Sequence, residues 1–141
     1  PNINFEALIQ EVHKYINAHV SSLQTYAGAS TALERLRNNH ITLTLVSSSP
    51  RKILKESLES TGLAKYFSFF MGGDDVMKHK PNPEPFLNII EVAKLDPKTT
   101  VVLGDSHNDI IAAKAAGIDS CLFLPLENKI FYDFDQPVLS R

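Results

Sequence analysis

Two aspartates, Asp105 and Asp109, lie four residues apart in VVLGDSHNDIIAAKAAG, where an apolar run gives way to a helical pattern. Carboxylates at that junction can share a hard cation such as magnesium, which takes oxygen ligands and keeps several waters. They can equally cap a helix, because Ser106 to Asp109 spells Ser-x-x-Asp, close to a capping box. A second candidate is VSSSP, where Ser47, Ser48 and Ser49 stand between an apolar run and a helix start. Hydroxyls and free N–H groups at such an end suit an anion, and the same serines can be turn and cap residues. The third is Lys80 in HKPNPEPF, a point charge on a stretch stiffened by prolines, or else an ordinary solvated lysine.

The elements that would carry these residues follow from periodicity. Phe5, Leu8, Ile9, Val12, Tyr15, Ile16, Val20 and Leu23 recur at helical spacing and predict one long amphipathic helix, whose apolar stripe needs a cover. STALERLRNNH reads as a short helix with Ser30 as N-cap and Leu33 and Leu36 inward. In ITLTLV the period changes to two, as in a strand. Helix RKILKESLESTG then starts with Ser49 as cap and Pro50 at the first position, and stops at Gly62. Strand FSFFM leads through a long loop to helix NPEPFLNIIEVAKL, with Asn82 as cap and Pro83 first. Strand TVVLG leads to a helix ending at Gly117, and DSCLFLP is a last strand.

Strands alternating with helices of this length predict an α/β fold built on an open, mainly parallel sheet with flanking helices. Such sheets bind ligands beyond the carboxyl ends of their strands. Each candidate follows a successive strand: Ser47 the first, Lys80 the second, Asp105 and Asp109 the third. A hydroxyl, an ammonium and an acid pair converging there would serve to bind a phosphate, and the joint pattern outweighs the bland reading of each part. Asp74 and Asp75, after Gly72 and Gly73, read as turn residues. The five histidines lack metal-ligand spacing, although His107 lies within the acidic loop.

Composition narrows the partners. The 141 residues are 43% apolar with a formal charge of −2, enough for a single core and without the basic run that nucleic acid or acidic lipid would need. No apolar run reaches the roughly 18 residues of a membrane span, and the N-terminus reads as no leader. The single cysteine, Cys121, excludes a disulfide framework and points to a reducing cytoplasm.

These motifs resemble those of the haloacid dehalogenase-like (HAD) hydrolase superfamily, in its phosphoglycolate phosphatase-like branch. VSSSP resembles the second motif, which implies that Ser47 binds the transferring phosphoryl group, with Ser48 beside it. MGGDDVMKHKPNPEPF resembles the third, whose lysine, here Lys80, orients and neutralises nucleophile and phosphate. GDSHNDIIAAKAAG resembles the fourth, which makes Asp105 a ligand of Mg2+ and gives Asp109 a supporting place in the metal shell through water. The resemblance covers about residues 26–125 and implies a Rossmann-like core. Residues 1–25 resemble the last part of a helical cap, and residues 126–141 would be a tail. It also implies a magnesium-dependent phosphatase of small phosphorylated metabolites.

The family's nucleophile is the first aspartate of an Asp-x-Asp motif on an N-terminal strand, and no such motif precedes Ser47. The chain therefore resembles a family member lacking its front, inactive alone. Asp133 and Asp135 in IFYDFDQPV have the right spacing for a permuted motif, but PLENK is too short for a parallel crossover to the sheet centre, so a tail or edge segment is the expectation. Two rivals stand: a HAD-like module that binds without chemistry, and a receiver-like domain, for which no phosphoacceptor aspartate is found.

Overall fold

A computed structural model describes residues 4–123 and 139–140. The chain divides into two compact units, Pro1–Gly72 and Gly73–Arg141. The α/β class is as expected, and its strands run parallel within each unit's main pairing.

In the first unit, α1 (Phe5–His19) begins where Asn4 Oδ1 accepts from the Ala7 N–H. It ends with His19 stacked on Tyr15. Its apolar stripe is not covered: Phe5, Leu8, Ile9, Val12 and Ile16 are exposed, and Val20, just beyond the helix, is the one position of the stripe that is buried. α2 (Ala29–Asn38) starts after Gly28 rather than Ser30. The backbone there is left-handed, φ 82°, a turn glycine makes without a steric cost, and Ser30 falls inside the first helical turn.

β1 (Thr44–Val46) is shorter than ITLTLV and pairs in parallel with β2 (Phe69–Met71), in the register Thr44↔Phe69 to Val46↔Met71. Between them runs α3 (Arg51–Ser60), which buries Ile53, Leu54 and Leu58. Pro50 is its N-cap, not its first helical residue, and Ser49 makes no cap bond. The Ser49 N–H instead donates to Ser47 Oγ at 3.1 Å, so the serine run folds on itself ahead of the helix. Gly62, at φ 70°, follows the last turn as expected.

In the second unit, a loop leads from a short 3-10 turn, Gly73–Asp75, to α4 (Glu84–Ala93), which buries Pro85, Phe86 and Ile89. Pro83 is the cap residue, one position later than expected. Asn82 still serves the helix start, because its Oδ1 accepts from the Glu84 N–H at 3.0 Å. β3 (Val101–Gly104), α5 (His107–Ala115) and β4 (Asp119–Leu122) form a β-α-β unit with β3 and β4 parallel. Ala112 and Ala113 have no exposed surface, and such small side chains allow α5 to lie close on the two strands it packs against. β5 (Leu139–Ser140) adds an antiparallel pair to β4 through Ser120↔Ser140 and Cys121↔Leu139. The Asp133–Asp135 pair lies outside the described residues.

Candidate active site

The end of β3 and the start of α5 form a closed polar knot. Ser106 is the N-cap of α5, with an extended backbone that lets its side chain turn back over the first turn. Its Oγ accepts from the Asp109 N–H at 3.3 Å, while Asp109 Oδ2 accepts from the Ser106 N–H at 3.1 Å and from the Ser106 hydroxyl at 2.7 Å. The capping reading of Ser106 and Asp109 is thus realised, with an aspartate in the place usually held by glutamate or glutamine.

Capping uses only one oxygen of that carboxylate. The other, Asp109 Oδ1, receives a hydrogen bond from Lys80 Nζ at 2.6 Å. The Lys80 and Asp109 side chains are 12% and 7% exposed, so the pair is largely withdrawn from water. A lysine that sequence alone leaves as solvated or functional is therefore held at a fixed point. Its ammonium also lies 5.9 Å from the centre of the Phe86 ring, which narrows its range further. Burial is the largest influence on Asp109 and works against ionisation. The hydrogen bonds from Lys80 and Ser106 and the charge of Lys80 together outweigh it, holding the carboxyl below the usual aspartate value.

The loop carrying Lys80 is tied at its far end. Glu84, in the first turn of α4, accepts from the Met77 N–H at 2.7 Å, and the Asn82 N–H donates to the His79 carbonyl at 2.9 Å. Sequence reading missed Glu84. The signal was available in its place as an acid at the start of a helix, where a side chain can serve backbone N–H groups other than those of its own helix.

Asp105 is the first residue after β3 and is exposed, whereas Asp109 is buried. Magnesium is commonly held by one or two carboxylates with several waters, so Asp105 suits a direct ligand by chemistry and position. Asp109 does not suit direct ligation in this arrangement, because both its oxygens are engaged by Lys80 and Ser106. Among the described residues no group of three or more His, Cys, Asp or Glu side chains is placed to hold a metal. These residues fit a solvated magnesium site centred on Asp105, not a closed protein cage.

Ser47 belongs to the first unit and directly follows β1. Its N–H donates to the Met71 carbonyl at 2.9 Å, an extension of the β1 to β2 pairing. Accepting from the Ser49 N–H occupies a lone pair on the hydroxyl and not its proton, so the group retains donor chemistry. Ser48 is exposed.

A fold of this class with these strand-end residues is that of a HAD-like hydrolase. The family model for haloacid dehalogenase-like hydrolases matches residues 1–123, and the chain belongs to that family. It is similar to phosphoglycolate phosphatase 1 of Pseudomonas aeruginosa, with 31% identity over 79% of this chain and 41% of that protein. To a phosphoglycolate phosphatase of Neisseria meningitidis the identity is 39%, over 74% of this chain and 45% of the relative. The chain thus spans less than half the length of either. Among solved structures, a hydrolase from Streptococcus pneumoniae superposes with a TM-score of 0.70 at 30% identity, over 89% of this chain and 65% of the other. Among the described residues no helix is long and apolar enough to cross a membrane.

Proposed function

We propose that this chain carries the phosphate-handling part of a magnesium-dependent phosphatase acting on small phosphorylated metabolites, and that it works in the cytoplasm. One observation carries the reading most: a largely buried lysine fixed by a carboxylate in the first turn of α5, with a second, exposed carboxylate as the first residue after the parallel strand β3. A structural ion pair alone would not require an acid at Asp105, and family membership supplies the chemistry that uses one.

In this reading Lys80 is a preset cation for the phosphoryl oxygens. Its ammonium has three donors and spends one on Asp109, so it can meet an incoming anion without first reorganising, the condition under which fixed charges lower a barrier most. Asp109 keeps the ammonium in place and contributes to the metal shell through water. Ser47, with Ser48 beside it, donates to phosphoryl oxygen. Asp105 would hold magnesium, which supplies charge neutralisation on the phosphoryl group. By the same resemblance, residues 1–25 are the end of a helical cap, 26–125 the core and 126–141 a tail.

The family's nucleophilic aspartate has no counterpart before Ser47: the first aspartate of the sequence is Asp74. We therefore read this stretch of chain as inactive by itself. The same observation favours a second reading, a HAD-like module that binds phosphate or a partner without hydrolysis. A panel of phosphomonoesters, 2-phosphoglycolate included, incubated with magnesium and the polypeptide of the complete reading frame separates them. Phosphate release supports the phosphatase; magnesium-dependent phosphate binding with no release from any ester supports the module.

A further inference from the structure

The glycines divide into two kinds. Gly28, Gly62 and Gly117 have positive φ, and a Cβ on any of them would meet nothing within 4 Å. Their requirement is the backbone turn. Gly104, the last residue of β3, has no left-handed φ, so its backbone would accept any residue. A Cβ built there would overlap Asp109 Cβ and lie 2.9 Å from its Cγ and 3.0 Å from Oδ2. The requirement at Gly104 is room, and the room is taken by the carboxylate that holds Lys80.

We propose that Gly104 is a positioning residue for the Lys80 ammonium: the missing side chain lets Asp109 settle against the end of β3, where one oxygen closes the α5 cap and the other fixes Lys80. Asp109 has nowhere equivalent to go. Its side chain is 7% exposed, its Oδ2 is held twice by Ser106 and its Oδ1 by Lys80. An added methyl group must push this side chain away. The bonds to Ser106 are local to the first turn of α5 and can move with the helix. The bond to Lys80 joins residues 29 apart in sequence, so nothing in the helix carries the ammonium along when Asp109 moves. Displacement of Asp109 therefore costs the link to Lys80 first. The value of this to catalysis rests on the phosphatase reading; the positioning itself does not.

The test uses Gly104→Ala, with Gly62→Ala as a control that strains the backbone at φ 70° within the other compact unit. Lysine ammonium groups are observed directly by 15N nuclear magnetic resonance, where an ion-paired, buried ammonium exchanges its protons slowly enough to be seen, and Lys80→Arg assigns the Lys80 signal. The expected result is a protected Lys80 signal in the parent and in Gly62→Ala, and its loss in Gly104→Ala. A signal that survives in Gly104→Ala, or disappears equally in Gly62→Ala, overturns the proposal. Should Gly104→Ala fail to fold, the change is made together with Asp109→Gly, which empties the contested space. Folding restored by the second change supports the proposal, and Gly104→Ala as damaging with Asp109→Gly as without it refutes it. None of these readouts needs a substrate, so a failure of the phosphatase reading leaves them interpretable.

Discussion

Replacing Asp109 by asparagine keeps the side chain's size and an oxygen for Ser106 but removes the charge facing Lys80. A hydrogen bond to a charged group contributes about 1.5–3 kcal/mol, and stripping one partner from a fully buried ion pair costs about 3–5 kcal/mol. Lys80 is 12% exposed on a flexible stem and can swing partly into water, which places this case toward the lower figures. The lost negative charge in the first turn of α5 adds about 0.3–1 kcal/mol. We expect Asp109→Asn to destabilise the chain by about 2–3 kcal/mol. Urea unfolding followed by circular dichroism and tyrosine fluorescence measures this, since the sequence has four tyrosines and no tryptophan. Lys80→Met completes a double-mutant cycle, and the two costs should fall short of additivity by at least about 1 kcal/mol, beyond the scatter of independent sites. A loss under about 0.5 kcal/mol, or strictly additive costs, would refute the idea that the pair fixes the lysine.

The pair also sets a pH dependence. The Asp109 carboxyl lies below its usual value in the folded protein, so its contribution is fully present above the unfolded aspartate value of about 3.9 and is lost as pH falls through the lower folded one. The stability gap between parent and Asp109→Asn should hold steady near neutrality and close on the acid side, as read from urea midpoints between acid and neutral pH; a gap that widens as pH falls would contradict the sign. At Gly72 a Cβ would run into the backbone of Arg51, whose guanidinium donates to the Phe70 carbonyl at 3.2 Å and lies over the Phe70 ring. Gly72→Ala should cost about 1–3 kcal/mol through overpacking, visible in the same unfolding assay, and an unchanged midpoint would show that α3 yields freely.

The alternation of strand and helix was legible because its carriers are local: β-branched residues at period two in ITLTLV, helical spacing in ILKESL, and glycine at Gly62 and Gly117. Helix starts were read one or two residues out at Ser30, Ser49 and Asn82. Several capping residue types lie together there, and the choice among them depends on backbone angles that a turn such as Gly28 sets. The candidate site was proposed from residue types at strand ends. The partnership of Lys80 with Asp109 was not legible, because 29 positions separate them and only the packed loop decides which acid the ammonium meets. Asp109 could be read as a cap or as metal support, and the structure shows its two oxygens serving Ser106 and Lys80. Gly104 carried no sequence signal beyond preceding an aspartate, since steric room is a property of what folds against a residue.

The most direct trial of the central claim is release of inorganic phosphate from phosphomonoesters by the complete reading-frame product, measured beside its Ser47→Ala and Lys80→Met variants with and without magnesium. The account predicts magnesium-dependent release by the parent and a loss of roughly 100-fold or more in each variant, the scale expected when a fixed donor to a charged transition state is removed. Release at the parent rate by Lys80→Met, or none from any ester by the folded parent, would contradict it.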